Sequence, residues 1–305
     1  MPEIICQTIN LSKYYKNFHA LQDINISVKR GGIYGLIGEN GAGKSTLIRI
    51  LAGLSFKSGG KIRLFGSDTN LERERARTGC TIEMPALYKD MTAAQNLEIL
   101  RVQRGIPDRN SIAKALSLAG LDYKDRKKAA DYSLGMKQRL ALAGALLGEP
   151  ELLILDEPVN GLDPTGIIEL RELLKKLVKE KQATILISSH ILSELDQLAT
   201  HYGFLHKGRL LKQISAAQLR EECKRHIKLK TDNVEKAVII LEEKLKIRKF
   251  SVYPDNSVRI FEKLEEVQAV SKILSGNGII IEEISVQGEN LETYFERLVG
   301  GIKNV

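Results

Sequence analysis

Glycines at fixed spacing precede the pair Lys44-Ser45 early in the chain, in the run GENGAGKST. Glycines at these places allow several backbone N–H groups to point at one anion, and a helix that begins after them adds the positive end of its dipole. The Lys44 ammonium can reach the β and γ phosphates of a nucleotide, and the Ser45 hydroxyl can bind Mg²⁺. The run therefore predicts a phosphate-binding P-loop that consists of Gly38, Glu39, Asn40, Gly41, Ala42, Gly43, Lys44, Ser45 and Thr46.

Two adjacent carboxylates, Asp156 and Glu157, follow the apolar run LLIL. A carboxylate at the carboxyl end of a strand can hold Mg²⁺, directly or through water. Glu157, one residue further, is placed to polarise a water molecule against the γ-phosphate. The alternative is that both acids only cap the turn before Pro158. Beside a P-loop, the pair favours hydrolysis over transfer of the phosphoryl group to another acceptor.

One histidine, His190, follows a second apolar run, ATILISS. A histidine at the end of a strand can contact the γ-phosphate or orient the attacking water. A single histidine is more often a structural residue, so His190 is a candidate only in combination with the P-loop and the two carboxylates.

Strands that alternate with helices would position these residues. The sequences ICQTINLSKYY and LQDINISVKR each show the period of a half-buried strand, and GGIYGLIG, LLIL and ATILISS are short apolar strands. Buried strands joined by helices predict an α/β fold with a parallel sheet. A first domain is predicted at 1–215, with a helical subdomain at about 90–147.

A new pattern begins at about residue 216. Strand and helix signals there follow the order β-α-β-β-α-β, as in ferredoxin-like modules, and ENLETYFERLV is predicted to be a closing helix. Residues 216–305 are therefore predicted to form a small α+β accessory domain.

Composition excludes several classes of protein. The 305 residues contain no apolar run long enough to span a bilayer, and no basic segment followed by an apolar stretch at the start. Three widely spaced cysteines argue against a disulfide framework or a zinc site and favour the cytosol. The formal net charge of +8 lies in residues 1–215, because residues 216–305 carry 15 basic and 15 acidic side chains. A basic first domain fits a phosphate ligand or an acidic surface.

Residues 5–215 resemble the nucleotide-binding subunit of an ATP-binding cassette (ABC) transporter. Five stretches carry the resemblance in the family's order, namely GENGAGKST, TIEMPALY, YSLGMKQRL, LLILDEP with VNGLD, and SSH. The resemblance implies a P-loop NTPase cassette that binds ATP and Mg²⁺ and hydrolyses ATP. It also implies that two subunits clamp two ATP molecules head to tail, with the P-loop of one facing the signature motif of the other.

The resemblance also assigns roles to residues at matching positions. Ser133 and Gly135 in the signature motif would contact the γ-phosphate bound to the partner subunit. Tyr15 would stack on adenine, and Asp163 would lie in the loop that couples the two sites. His190 would be the switch histidine of the family.

Two motifs depart from the family's usual pattern. Leu134 replaces the first glycine of the common LSGGQ signature, and Met136 replaces its glutamine. Glu83 stands where the family usually has a glutamine beside Mg²⁺, which would add a carboxylate near the metal. Both departures resemble the subgroup that exports bacitracin and lantibiotic-type peptides.

These observations predict a cytoplasmic ATPase subunit, bound at the inner face of the cell membrane, that powers export through a separate transmembrane permease subunit. A second ATP-binding subunit is expected as a homodimer partner, and nucleic acid is not expected as a partner. The alternative is a soluble ABC-type ATPase that acts on nucleic acid or ribosomes. Ribosome-acting relatives usually carry two cassettes and DNA-repair relatives insert a long coiled coil, whereas this chain shows one uninterrupted cassette. A P-loop kinase is the least favoured reading, because of Asp156-Glu157 and the signature stretch.

Overall fold

Two units make up the chain, and they divide between Ala216 and Ala217. A computed structural model describes residues 3–82, 87–288 and 290–300. The α/β class predicted from the sequence is confirmed, since strands and helices alternate along the first unit. Among the described residues, none of the helices combines the length and the apolar character needed to cross a bilayer.

Ten strands lie in the described part of the first unit. In chain order they are β1 (Ile4–Tyr15), β2 (Phe18–Ile24), β3 (Ser27–Lys29), β4 (Ile33–Ile37), β5 (Gly59–Leu64), β6 (Thr78–Thr81), β7 (Leu152–Asp156), β8 (Thr184–Ser189), β9 (His201–His206) and β10 (Arg209–Ser215). Its helices are α1 (Lys44–Leu51), α2 (Leu71–Arg75), α3 (Ala93–Gln103), α4 (Asn110–Leu118), α5 (Leu134–Leu146), α6 (Pro164–Lys181) and α7 (Leu192–Asp196).

The larger sheet of this unit has six strands in the order β10-β9-β4-β8-β7-β6. All neighbours from β9 to β6 are parallel, and only β10 is antiparallel to its neighbour. Every residue of β4, β7 and β8 is buried, which explains why these strands contain consecutive apolar residues and not an alternating pattern. Because parallel strands end at the same edge of a sheet, the segments that follow β4, β7 and β8 meet there.

The smaller, antiparallel sheet pairs β1 with β2, β3 and β5. The sequence LQDINISVKR, predicted as one strand, is divided between β2 and β3. The break lies at Asn25, whose side-chain oxygen accepts a hydrogen bond from the Asn10 N–H at 2.9 Å and whose amide donates to the Asp23 carbonyl at 2.8 Å. Asp23, inside β2, has a φ of 49° where the register with β1 shifts between Leu11 and Lys13, so β2 is already irregular just before the break.

Three helices, α3, α4 and α5, lie between β6 and β7 in sequence, together with a 3₁₀ turn at Ala129–Asp131. Helix α3 begins with a capping box, in which Thr92 and Gln95 satisfy each other's backbone N–H groups. Helix α5 begins at the residue after Ser133, whose hydroxyl accepts a hydrogen bond from the Met136 N–H. The start of α5 is therefore fixed by a side chain of the signature stretch.

The second unit contains one four-stranded antiparallel sheet in the order β12-β13-β11-β14. Its elements are β11 (His226–Thr231), α9 (Val234–Glu243), β12 (Phe250–Val252), β13 (Ser257–Ile260), α10 (Val267–Gly276), β14 (Ile281–Gln287) and α11 (Leu291–Gly300), while α8 (Ala216–Cys223) spans the boundary. Ile227 and Leu229 alternate with polar residues on β11 and share a core with Leu241 of α9 and Leu274 of α10.

Candidate functional site

The P-loop connects the buried strand β4 to helix α1. Gly43, the residue before α1, has a φ of 108°, a value that L side chains rarely adopt. A Cβ at Gly38 would lie 2.5 Å from the Leu205 carbonyl oxygen on the neighbouring strand β9. Only glycine fits either position, which explains the glycines found in the sequence and leaves the loop backbone open to an anion.

Two neighbouring segments fix the backbone of the P-loop. The Ala20 carbonyl oxygen of β2 would lie 2.7 Å from a Cβ at Gly43 and also 2.7 Å from a Cβ at Gly208. The Gly208 N–H donates to the Ala42 carbonyl at 2.9 Å, and its own carbonyl accepts from the Gln22 N–H at 2.7 Å. The P-loop, strand β2 and the β9–β10 turn therefore form one hydrogen-bonded assembly.

The Lys44 ammonium lies at the centre of the loop and is 5% exposed. It donates to the Gly38 carbonyl at 2.7 Å and to the Glu39 carbonyl at 3.2 Å. Its Nζ also lies 3.2 Å from Oε1 of Glu157. The structure thus brings together the P-loop cation and the second of the two adjacent carboxylates, which are 113 positions apart in sequence.

Ser188 holds the two carboxylates in place. Its hydroxyl donates to Oδ1 of the buried Asp156 at 2.6 Å and accepts from the Glu157 N–H at 3.0 Å. Glu157 has a φ of 49°, which turns the chain at the end of β7. Oε2 of Glu157 accepts from the His190 N–H at 3.3 Å and lies 2.7 Å from His190 Nδ1. One hydroxyl and one histidine therefore orient both carboxylates.

The remaining predicted residues of the loop lie around this cluster. Ser45 is the second residue of α1 and lines the same cavity as Asp156 and Glu157. Glu39 points its carboxylate toward solvent, with Oε2 3.6 Å from Nδ1 of His206. Gly41 has a φ of 80°. Glu83, predicted near the metal, lies outside the residues that the structure describes.

Tyr15 ends strand β1 in the hairpin that leads to Ala20. Its side chain is 46% exposed, and the Lys13 ammonium lies 4.6 Å from its ring centroid. Phe18, its partner across the hairpin, is 62% exposed. With Tyr14, which is also exposed, the hairpin presents three accessible aromatic rings on the segment that contacts the P-loop, and sequence reasoning considered only Tyr15.

Ser133 and Gly135 lie at the N-terminal end of α5. Tyr132, just before them, donates a hydrogen bond from its hydroxyl to Asp125 at 3.2 Å. Burial, reinforced by Asp125, raises the pKa of Tyr132 to about 12. A cavity of about 1040 Å³ extends from Ser45, Asp156 and Glu157 to Ser133 and Gly135 of the same chain.

Sequence reasoning missed two contacts. The first is that of the Ser188 hydroxyl with Asp156 and Glu157. Ser188 was part of the recognised SSH stretch, and a hydroxyl at a strand end beside Asp156 was the available signal. The second is that of Leu134 with Gly161, in the loop that contains Asp163, and the local sequence carries no signal for this contact. Asp163 itself is the N-cap of α6, where its carboxylate accepts from the Gly166 N–H at 3.1 Å.

Comparison with known proteins yields a consistent set of relatives. Residues 21–160 match the family described as ABC transporter. The bacitracin transport ATP-binding protein BcrA of Bacillus licheniformis is 41% identical over 299 residues, which cover 97% of this chain and 98% of that protein. The lantibiotic transport ATP-binding protein SrtF of Streptococcus pyogenes is 43% identical over 202 residues, which cover 66% of this chain and 87% of that protein.

A solved structure shows the same architecture. CbiO1 from Clostridium perfringens, described as part of the ABC transporter complex cbiONQ, matches with a TM-score of 0.65 at 28% identity, covering 80% of this chain and 97% of that chain. The P-loop context, the fold and near full-length relatives agree with the resemblance seen in the sequence, and the chain belongs to the family of ABC transporter ATP-binding proteins.

Proposed function

We propose that this chain binds Mg-ATP at the P-loop, hydrolyses it, and thereby drives export through a separate membrane subunit. The observation that carries the proposal is the cluster in which Lys44, Asp156, Ser188 and His190 all contact or flank Glu157. A cation, a buried carboxylate, a second carboxylate and an imidazole at the end of one parallel sheet are the groups that phosphoryl transfer to water requires.

The residues of the P-loop and of the end of β7 suit Mg²⁺ and a nucleoside triphosphate. Gly38 and Gly43 leave a cradle that a Cβ would fill. The Ser45 hydroxyl and the Asp156 carboxylate line the same cavity and would supply the oxygen ligands that Mg²⁺ prefers. When bound, Mg²⁺ would neutralise phosphate charge. Glu83 is proposed as a further carboxylate beside it.

Within this site, the chain's own residues have separate roles in binding the phosphates and activating water. The Lys44 ammonium binds the phosphates, which requires it to exchange part of its contacts with Glu157 and the loop carbonyls. Glu157 is then free to accept a proton from a water molecule, while His190 holds its carboxylate through Oε2. Tyr15 is proposed to stack on the adenine ring.

The partners are proposed from the family and from the names of the relatives. Ser133 and Gly135 would contact the nucleotide of a second copy, so the active form would be a homodimer with two nucleotides at its interface. Residues 216–305 would be an accessory domain of ferredoxin-like order. Because two relatives are named for bacitracin and lantibiotic transport, the exported molecule is proposed to be a peptide antibiotic of that kind, with the chain at the cytoplasmic face of the membrane.

Light scattering after size-exclusion chromatography tests the proposal on the Glu157→Gln variant, with and without Mg-ATP. We expect an ATP-dependent dimer, since the variant retains binding and stalls turnover, and we expect the unchanged chain to hydrolyse ATP. A monomer that binds ATP, together with an unchanged chain that hydrolyses none, would refute it. For the exported molecule, cells in which Glu157→Gln replaces the chain should become sensitive to bacitracin or a lantibiotic, and unchanged sensitivity to both would exclude these substrates.

A further inference from the structure

Helix α7 begins two residues after His190, so its placement bears on where that histidine lies. The helix spans Leu192–Asp196 and has only five residues. Its N-cap, Ile191, is the residue next to His190 and provides no side-chain hydrogen bond. A helix this short depends on tertiary contacts for its position, because its own hydrogen bonds do not stabilise it.

One side of α7 packs against the parallel sheet. The Leu195 side chain is buried, and its Cδ1 would lie 3.2 Å from a Cβ at Gly35 of β4. The Tyr202 hydroxyl of β9 donates to the Leu195 carbonyl at 3.4 Å. These contacts involve Leu195, whereas the neighbouring Glu194 contacts helix α6.

Glu194 forms an ion pair with Arg171 of α6. Its Oε2 lies 3.6 Å from Nη2 of Arg171, and the two side chains are only 23% and 14% exposed. Nε of Arg171 is buried and has no hydrogen-bond partner among the described residues. The loss of one member of a largely buried ion pair is costly, because the remaining charge is left without a partner. The pair therefore ties the position of α7 to that of α6.

A small cavity adjoins this ion pair. Its volume is about 10 Å³, and Arg171 and Glu194 line it together with mostly apolar side chains. That volume is about the space that one buried water molecule occupies. The separation of 3.6 Å is longer than a direct hydrogen bond, which indicates a bridging water. Such a water would accept a hydrogen bond from the Nε–H of Arg171 and donate one to the Glu194 carboxylate.

We infer that Arg171 and Glu194 bind one buried water molecule between α6 and α7 and act as positioning residues for His190. Glu194 holds α7 from the side of α6, and α7 sets the turn that carries His190, whose Nδ1 lies 2.7 Å from Oε2 of Glu157. Neither Arg171 nor Glu194 would contact the nucleotide. The catalytic consequence of the inference rests on the proposed function, whereas the position of His190 can be measured without it.

Nuclear magnetic resonance of the full-length chain, with ¹³C at Cε1 of its five histidines, tests the positioning directly. The His190 signal is assigned by its loss in the His190→Gln variant. Arg171→Met should shift this signal by more than its linewidth, because the contact of the imidazole with Glu157 changes. The signal of His226, in the second unit, should stay in place, which excludes general unfolding. Lys175→Met, the matched control, removes an exposed cation from the same helix and should move neither signal.

ATP hydrolysis measures the catalytic consequence. Arg171→Met and Glu194→Gln should each lower kcat about tenfold, because a displaced His190 no longer orients Glu157. The double variant should lose little more than either single variant, whereas independent effects would multiply to about a hundredfold. The affinity for a trinitrophenyl ATP analogue in EDTA should stay within about twofold in each variant, since the P-loop is untouched. Lys175→Met should keep kcat within about twofold, because its ion pair is exposed.

Two further measurements complete the test. If Arg171→Met proves unfolded by circular dichroism, Glu194→Gln, which keeps the size of the side chain, is used for both the resonance and the kinetic measurement. The water site is tested by the nuclear Overhauser effect between the Nε–H of Arg171 and water in the unchanged chain. We expect a cross peak, and its absence would overturn the water site.

Three results would overturn the positioning role. A His190 signal that stays in place in both Arg171→Met and Glu194→Gln would show that α7 does not depend on the pair. Losses of kcat that multiply in the double variant would show that the two residues act separately. Lower nucleotide affinity with unchanged kcat would place the effect at the P-loop. An unchanged chain that hydrolyses no ATP, but whose His190 signal responds to Arg171→Met, would refute the proposed function and support the positioning of His190.

Discussion

Replacement of Ser188 by alanine removes the hydroxyl that connects Asp156 and Glu157. The hydroxyl makes two hydrogen bonds, of 2.6 Å to the Asp156 carboxylate and 3.0 Å from the Glu157 N–H, and Ser188 is fully buried. A hydrogen bond to a buried charged group contributes about 1.5–3 kcal/mol, and an orphaned buried N–H costs about 1–3 kcal/mol. We therefore expect the free energy of unfolding to fall by about 2–4 kcal/mol, or about 5–15 °C in Tm.

The kinetic effect should exceed the effect of destabilisation alone. Without the Ser188 hydroxyl, the Asp156 carboxylate and the Glu157 N–H each lose their hydrogen bond to β8. A positional cost of about 1.4 kcal/mol in the transition state lowers kcat about tenfold. The affinity for nucleotide without Mg²⁺ should change by less than about threefold, because the hydrogen bonds of the Ser188 hydroxyl go to Asp156 and Glu157 and not to the P-loop.

Ser189→Ala is the matched control, because Ser189 is the next residue on the same strand and is only 1% exposed. Its hydroxyl donates to the Ile191 carbonyl at 3.2 Å and accepts from the Ile191 N–H at 2.9 Å, so it stabilises the turn without touching either carboxylate. Steady-state ATPase assays and circular dichroism melts of both variants would separate the two effects. Equal kcat for the two variants at a temperature where both are folded would refute the role assigned to Ser188.

Three shorter predictions concern other groups. Lys44→Ala should abolish nucleotide binding, measured by calorimetry, because Lys44 is the cation at the centre of the P-loop. Glu157→Gln should bind ATP yet hydrolyse it at least about a hundredfold more slowly, by phosphate release, since the amide cannot accept the proton of water. Parent-like turnover in that variant would remove Glu157 from its role. Burial raises the pKa of Cys6 to about 12 and that of Cys80 to about 11, so both thiols are protonated at pH 8 and should resist iodoacetamide until guanidinium unfolds the chain.

Much of the fold could be predicted because its signals are local. Strands β4, β7 and β8 are buried on both faces, so each contains consecutive apolar residues, such as LLIL in β7 and ILI in β8, instead of an alternating pattern. The glycines of the P-loop are set by backbone geometry, which makes their spacing readable in one sequence. The division of Leu21–Arg30 into two strands could not be seen, since the break depends on Asn25 bonding to Asn10 of a neighbouring strand.

Contacts within the site were less accessible to sequence reasoning. Strand β6, with the sequence TGCT, is short and has little apolar character, so it was not predicted, although it completes the edge of the parallel sheet. The link from Ser188 to Asp156 joins residues 32 positions apart. The contact of Leu134 with Gly161 depends on one leucine methyl group that reaches the neighbouring loop. The type of neither residue indicates which partner it contacts.

Gly43 and Gly208 both pack against the carbonyl oxygen of Ala20. This close packing affects the thermodynamics of nucleotide binding. Because strand β2, the β9–β10 turn and the P-loop are joined by hydrogen bonds, the loop is ordered when the chain folds and not when the ligand arrives. The conformational entropy of some nine residues is then lost during folding, and association avoids that penalty. Such preorganisation favours an association rate limited by diffusion, and it makes the aromatic hairpin and the phosphate cradle a single rigid receptor.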